Sequence, residues 1–103
     1  MGIAKRYILV KIVYERTLTK EQFHEAVANS VKQYFGELGL SRIDPRIMKF
    51  DVESLTAVIS CERSATSELE SALSLVTGYA EMPISLLVLR VSGTIKGAAK
   101  GKK

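Results

Sequence analysis

The last apolar stretch of the chain ends in small and basic residues that could seat a phosphate group. Residues 86–91 read Leu-Leu-Val-Leu-Arg-Val, and Ser92, Gly93, Thr94 and Lys96 follow closely. Hydroxyls, backbone amides and a lysine at a strand end are groups that bind phosphate. The same residues are also typical of a plain loop that ends a strand. On these residues alone, the plain loop is the favoured interpretation.

Positive charge is concentrated in the same region. The chain has 103 residues and a formal net charge of +4. From residue 90 onward there are basic residues and no acidic ones: Arg90, Lys96, Lys100, Lys102 and Lys103. The rest of the chain is close to neutral. A basic end on a near-neutral domain predicts a polyanionic partner, most simply nucleic acid. A solubilising, disordered terminus is the alternative.

Residue types that carry out catalysis or bind metals are sparse. The single histidine, His24, falls on the polar side of a predicted helix beside Glu21 and Glu25, which is typical of a solvated side chain. One histidine and one cysteine are too few for a tight zinc site. No glycine-rich phosphate-binding motif occurs. We therefore predict no catalytic residue, no metal site and no cofactor bound by this chain.

The single cysteine and the short apolar runs indicate where the protein works. Cys61 cannot form a disulfide within the chain, which favours a reducing cytoplasm. No apolar run approaches the roughly 20 residues that a membrane-spanning helix needs. We therefore expect a cytoplasmic protein with no membrane partner.

The hydrophobic pattern predicts the order strand, helix, strand, strand, helix, strand. The first helix is predicted to begin at Thr19, whose spacing to Gln22 fits a capping box, and to end at Gly39. This order is that of the ferredoxin-like, RNA-recognition-like βαββαβ sandwich. It places two helices on one face of a four-stranded antiparallel sheet, in the α+β class. We predict one domain over residues 1–96 and a basic, disordered tail over residues 97–103.

The other face of this sheet is predicted to be open. Tyr7, Leu9 and Val13 share that face on the first strand and predict a surface for a protein partner. The third strand, residues 55–61, has no aromatic residue, so base stacking on the sheet is not expected. A terminal segment of the same chain covering this face is the alternative, which is disfavoured because the tails are short and polar.

Two segments resemble the archaeal ribonuclease P protein component 2 family. Residues 73–77, Leu-Ser-Leu-Val-Thr, and residues 91–96, Val-Ser-Gly-Thr-Ile-Lys, are similar to the C-terminal signature of that family. Arg-Tyr-Ile at residues 6–8 and Lys-Phe-Asp at residues 49–51 also resemble it. The resemblance runs from about residue 5 to residue 96, nearly the whole chain.

The resemblance implies a non-catalytic subunit of ribonuclease P, the ribonucleoprotein that removes the 5′ leader from precursor tRNA. In that family the RNA subunit, with bound magnesium, performs the hydrolysis. Implied partners are the ribonuclease P RNA and protein component 3, of TIM-barrel type, and the pair of proteins can associate into a heterotetramer. An alternative that composition and topology equally permit is a ferredoxin-like regulatory or protein-interaction domain without an RNA partner.

Together, the resemblance and the basic tail predict which residues contact RNA. The predicted RNA-contact residues are Arg6, Arg90, Ser92, Gly93, Thr94, Lys96, Lys100, Lys102 and Lys103.

Overall fold

The first strand is apolar on both faces because it lies in the middle of a sheet. The structure, a computed structural model, describes residues 5–99. Its elements are β1 (Lys5–Tyr14), α1 (Lys20–Ile43), β2 (Arg46–Asp51), β3 (Thr56–Glu62), α2 (Thr66–Ser74), β4 (Gly78–Tyr79), β5 (Met82–Ser92) and α3 (Ile95–Ala99). The sheet order is β2-β3-β1-β5-β4, and each neighbouring pair is antiparallel.

The predicted α+β class and ferredoxin-like order are confirmed, with one strand added. The four longer strands lie in the order that this topology requires, with β1 between β3 and β5. The fifth strand, β4, has only two residues and pairs with Met82 and Pro83 at the start of β5. The prediction of a four-stranded sheet omitted β4, because two residues are too few to leave a periodic pattern.

Alternation along β1 divides its side chains between two apolar layers. Ile8, Val10 and Ile12 are buried in the main core, where α1 contributes Phe23 and Val27. The α2 residues in the same core are Leu69, Ala72 and Leu73. Both long helices therefore cover the same face of the sheet, as predicted.

The start of α1 follows its sequence signals. The Oγ1 atom of Thr19 accepts a hydrogen bond from the backbone N–H of Gln22 (3.1 Å), and the Gln22 side chain accepts one from the Thr19 N–H (3.0 Å). This is the predicted capping box, and it satisfies two backbone donors that the first helical turn leaves free.

The end of α1 differs from the prediction. The backbone leaves helical geometry at Gly36 (φ 76°, ψ 178°) and then resumes it as far as Ile43, so Gly39 does not end the helix. Glycine tolerates a positive φ that a side chain would strain. Leu38, two residues after the kink, is 88% exposed.

A short helix occupies the face of the sheet that was predicted to be open. The predicted disordered tail began at residue 97, but residues 97–99 belong to α3. Ala98 is fully buried there and packs with Leu9 and Val58, on the opposite face from α1 and α2. The remaining tail, residues 100–103, lies outside the described residues. Part of the open face is therefore covered by the chain itself.

Candidate nucleic-acid interface

The start of β1 and the end of β5 lie side by side and carry cationic side chains on opposite faces of the sheet. Arg90 pairs across the sheet with Leu9 and so projects from the face that carries α3, where it is exposed. Arg6 pairs with Cys61, whose side chain lies in the main core, so Arg6 starts from the opposite face. Arg6 is half-buried, and its Nη1 atom donates a hydrogen bond to the carbonyl of Lys5 (3.4 Å). The two guanidinium groups therefore lie on either side of one strand end.

The guanidinium group of Arg6 lies near Gly93, in the turn after β5. A β-carbon at this position would meet Nη1 of Arg6 at 3.4 Å and no closer atom. Lys96 is exposed on α3, one turn beyond Gly93. Within residues 5–99, none of Arg6, Arg90 and Lys96 forms an ion pair with a carboxylate. These three cations are consequently available to a phosphate. Lys100, Lys102 and Lys103 lie outside the described residues.

The hydroxyl groups predicted to seat a phosphate are used within the chain. Ser92 Oγ accepts a hydrogen bond from the backbone N–H of Thr94 (3.2 Å). Thr94 Oγ1 accepts one from the N–H of Gly97 (2.9 Å), and the Thr94 carbonyl accepts one from the N–H of Ala98 (3.1 Å). These bonds form a turn and a side-chain cap that begin α3. The amides of Thr94 and Gly97 are therefore already bonded, whereas the side chains of Arg90 and Lys96 are exposed.

Close packing around Gly97 fixes where α3 lies. A β-carbon at position 97 would collide with Oγ of Ser92 and would lie 2.9 Å from Oγ1 of Thr94. Only glycine leaves room for both hydroxyl groups. The Ser92, Thr94 and Gly97 arrangement turns the chain back across the sheet, so that Ala98 reaches Leu9.

The predicted protein-partner surface is divided by this arrangement. Leu9 is only 1% exposed because Ala98 covers it, so its assignment to an open surface is wrong. Tyr7 is half-buried against the same cluster. Val13 is 51% exposed and is the member of the three that remains open to a partner.

Further apolar side chains are exposed along β5, beyond the three residues predicted to form the protein-partner surface. The side chains of Leu87, Val88, Leu89 and Val91 are between 38% and 52% exposed. The signal for them is the run of branched residues itself. Val88 and Val91 pair with core-facing residues of β1, whereas Leu87 pairs with Lys11, so the exposed side chains lie on both faces of the strand. This surface adjoins the cationic strand end through Arg90.

An open groove runs beside α3 on the same face. It has a volume of about 520 Å³, its floor includes Leu9, Val58 and Ala99, and Lys49 and Glu53 lie at its rim. Phe50, the aromatic residue of this groove, is half-buried and packs on Phe23 with the ring centres 5.8 Å apart. The ring of Phe50 therefore belongs both to the edge of the main core and to the lining of the groove.

The groups that could carry out catalysis are dispersed. His24 is exposed on α1. Cys61 is fully buried in the main core, and burial raises the pKa of its thiol, so the nucleophilic thiolate is disfavoured. In residues 5–99, no three His, Cys, Asp or Glu side chains are grouped so that they could hold a metal ion. None of the helices in this part of the chain is both long and apolar enough to cross a membrane.

Comparison with known proteins gives consistent matches over nearly the full length. The sequence pattern of the Rpp14/Pop5 family matches residues 6–101. A Pyrococcus furiosus protein named ribonuclease P protein component 2 is 36% identical over 92 residues, which cover 89% of this chain and 77% of the relative. The Methanocaldococcus jannaschii protein of the same name is 30% identical over 94 residues, which cover 91% of this chain and 69% of the relative.

A solved structure shares the fold at low sequence identity. One chain of the cryo-EM structure of yeast ribonuclease MRP superposes with a TM-score of 0.72 and 14% identity. The match covers 91% of this chain and 77% of that chain. The arrangement of strands and helices described above is therefore also found in a chain of a ribonucleoprotein enzyme.

Proposed function

The chain belongs to the Rpp14/Pop5 family, and from that membership we propose that it is a protein subunit of ribonuclease P, the enzyme that removes 5′ leaders from precursor tRNA. The observation that carries this proposal is the match over about nine-tenths of the chain to relatives named ribonuclease P protein component 2. The fold shared with a chain of the yeast ribonuclease MRP structure supports the same context.

Within that complex the chain acts without performing the chemistry itself. The dispersed positions of His24 and Cys61, and the lack of a metal-binding cluster in residues 5–99, support a non-catalytic role. We assign hydrolysis to the RNA subunit with its bound magnesium, and we expect residues 5–99 of this chain to bind no cofactor. What the protein supplies is positive charge, which offsets repulsion between phosphates when RNA folds compactly.

RNA contact is assigned to the cationic end of β5. Arg90 and Lys96 are exposed, Arg6 is half-buried beside Gly93, and none of the three is paired with a carboxylate of residues 5–99. The tail lysines, Lys100, Lys102 and Lys103, extend the same charge along the sequence. Ser92 and Thr94 act by starting α3, which sets the position of Lys96.

Protein contact is assigned to apolar surface next to these cations. The proposed partner is ribonuclease P protein component 3, of TIM-barrel type, and two such pairs associate into a heterotetramer. The exposed side chains of Val13 and of the β5 residues Leu87 and Leu89 supply apolar surface of the kind that protein partners bury.

The first experiment is purification of the tagged chain from its source cells, followed by sequencing of the bound RNA. The expected result is enrichment of one structured RNA, together with precursor-tRNA cleavage in the eluate. Recovery of protein partners without a specific RNA above a tag-only control would reject the RNA-binding role and favour a protein-interaction domain.

Substitution of the cations then tests the site. Arg90→Gln and Lys96→Gln, combined with the same change at the three tail lysines, should weaken binding to ribonuclease P RNA and flatten its salt dependence. Removing one protein–phosphate interaction should reduce the slope of log K against log salt by about 0.7–0.9. Lys20→Gln combined with Lys32→Gln removes exposed charge from α1 and should leave the slope unchanged. An equal effect of both sets would indicate net charge rather than a site.

A further inference from the structure

The groove beside α3 is acidic where it reaches the turn between β2 and β3. Asp51 and Glu53 line this part of the groove, and Glu53 is exposed. Oδ1 of Asp51 accepts hydrogen bonds from the backbone N–H groups of Glu53 (3.0 Å) and Ser54 (3.2 Å), which hold the carboxylate at the turn. Among the described residues that line the groove, Lys49 is the one basic residue. Two carboxylates and one ammonium group give the lining a formal charge of −1, in a chain whose net charge is +4.

The register of the sheet places this acidic turn one row beyond the row that α3 covers. Leu9 pairs with Val58, and Ala98 packs on both. Asp51 pairs with Thr56, which lies two residues from Val58 along β3 and therefore on the same face. Two residues of a strand span roughly 7 Å. The acidic row is thus close to the point where α3 crosses the sheet.

The chain runs toward the acidic turn as it passes through α3. The strand before α3 ends at the row of Tyr7, and Ala98 reaches the row of Leu9, two residues further along β1. Ala99, the last residue that the structure describes, lines the groove together with Asp51. The backbone therefore enters the groove from the end opposite to the turn.

The residues that follow Ala99 are basic. They read Lys-Gly-Lys-Lys at positions 100–103. Four residues of extended chain span up to roughly 13 Å, which exceeds the distance of roughly 7 Å between the two rows. The tail can therefore reach the two carboxylates, and its charge is opposite to theirs.

We propose that residues 100–103 lie in this groove when no RNA is bound, with their ammonium groups beside Asp51 and Glu53. RNA phosphates and these carboxylates then compete for the same lysines, so the groove lowers the affinity of the chain for RNA. The competition rests on the proposed RNA-binding function. The position of the tail in the RNA-free protein does not depend on it.

A nitroxide label on the turn locates the tail. Val52 is 52% exposed at the groove, so Val52→Cys can carry the label, and the native Cys61 is fully buried. In NMR spectra of the purified chain without RNA, the label should broaden the amide signals of residues 100–103. Salt at about 1 M should restore these signals, because screening weakens exposed ion pairs. The same label at Leu38→Cys, an exposed position on α1, should leave the tail signals sharp.

Removal of one carboxylate tests the charge pairing. In the protein labelled at position 52, Glu53→Gln should reduce the broadening of the tail signals. Glu21→Gln, which removes an exposed carboxylate from α1, should leave the broadening unchanged. Circular dichroism checks that each variant is folded. If the labelled protein is not folded, nuclear Overhauser cross-peaks between the tail and the methyl groups of Val58 in the unchanged chain decide the placement.

RNA binding tests the competition. Glu53→Gln should tighten binding to ribonuclease P RNA by up to about fivefold, the range expected when an exposed ion pair no longer has to be broken. This gain should disappear when the three tail lysines are also replaced by glutamine. An equal gain in both backgrounds would show that Glu53 only repels RNA, and it would overturn the competition.

Two NMR results would overturn the placement of the tail. They are tail signals that neither label broadens and tail signals that both labels broaden equally. If the chain binds no RNA at all, the proposed function and the competition are both rejected, whereas the spectra of the RNA-free protein still decide where the tail lies. The two failures are therefore distinguishable.

Discussion

Replacement of Gly97 by alanine tests whether the Ser92–Thr94 turn holds α3 on the sheet. In an exposed helix, glycine-to-alanine stabilises by about 1 kcal/mol, because alanine has the higher helix propensity. Here the new β-carbon would collide with Oγ of Ser92 and crowd Oγ1 of Thr94. Helix propensity therefore predicts that Gly97→Ala raises the free energy of unfolding, whereas packing predicts that it lowers it. The measured change decides between the two.

The size of the loss follows from what α3 contributes. Displacing the two hydroxyls removes a cap worth about 1 kcal/mol. Lifting Ala98 exposes part of Leu9 and Val58, which are 1% and 2% exposed, and fully burying such side chains is worth about 1.5–3 kcal/mol each. The flanking strands still shield most of both, so we take about 1–2 kcal/mol for this part. After the propensity gain is subtracted, Gly97→Ala should lower the free energy of unfolding by about 1–2 kcal/mol.

Thermal and urea unfolding followed by circular dichroism measure this change. For a domain of this size, the melting temperature should fall by roughly 4–16 °C. Methyl shifts of Leu9 and Val58 in NMR spectra should move if α3 is released, since Ala98 packs on both. Gly93→Ala is the matched control. Its β-carbon would meet only the flexible end of Arg6, and the free energy of unfolding should change by less than about 0.5 kcal/mol.

A second substitution tests whether the collision with Ser92 causes the loss of stability. Ser92→Ala removes the oxygen that the new β-carbon would strike, so the Ser92→Ala, Gly97→Ala double variant should lose less stability than the sum of the two single variants. A coupling of about 1 kcal/mol is expected for groups in direct contact. A Gly97→Ala protein at least as stable as the unchanged chain would refute the reasoning, because helix propensity alone would then account for it.

Two further predictions concern groups whose pKa the fold shifts. Burial raises the pKa of the Cys61 thiol, so the thiol reagent DTNB should not react with the folded protein at about pH 8. The reagent should react once urea unfolds the protein. Prompt labelling of the folded protein would contradict the burial of Cys61. The Arg42 guanidinium donates to both carboxylate oxygens of Glu68 (2.6 and 2.8 Å) and lowers the pKa of that carboxyl group. The pair therefore stabilises the fold at pH values above the pKa of Glu68 in the unfolded state. This stabilisation is lost as the pH falls through the lower pKa of the folded state. Glu68→Gln should therefore lower the melting temperature slightly at neutral pH, and this decrease should disappear below about pH 4. A difference in melting temperature that persists in acid would show that the substitution acts through packing instead.

The order of elements and the family were predictable because local chemistry carries them. Alternating apolar residues gave β1 its two buried faces, and the Thr19–Gln22 spacing located the start of α1 at a capping box that the structure contains. The segments at residues 73–77 and 91–96 pointed to the ribonuclease P protein component 2 family, which the comparisons confirm. Each of these signals lies within a few residues of chain, so no long-range contact is needed to read it.

Other features arise only where distant segments meet. The Ser-Gly-Thr motif was compatible with a phosphate seat and, on its residues alone, favoured a plain loop. With Gly97 it forms a cap that turns α3 onto Leu9, which lies almost ninety residues earlier in the chain. Alternation places Leu9 and Val13 on the same face of β1, but no local pattern shows that Leu9 is buried there and Val13 exposed. The RNA-contact residues stay a prediction, to be decided by the salt dependence of binding.

The fold class, the family and the basic character of the C-terminal end depend on residue type and spacing, so the amino-acid sequence was enough to predict them. Which apolar residues are exposed was settled only in the folded chain, since exposure depends on what a neighbouring element covers. Folding placed α3 over Leu9 and Val58 and, among residues 5–99, left the outer edge of β5 without a neighbouring strand beyond β4. A strand edge is defined by the absence of a neighbour, which no single segment of chain can specify.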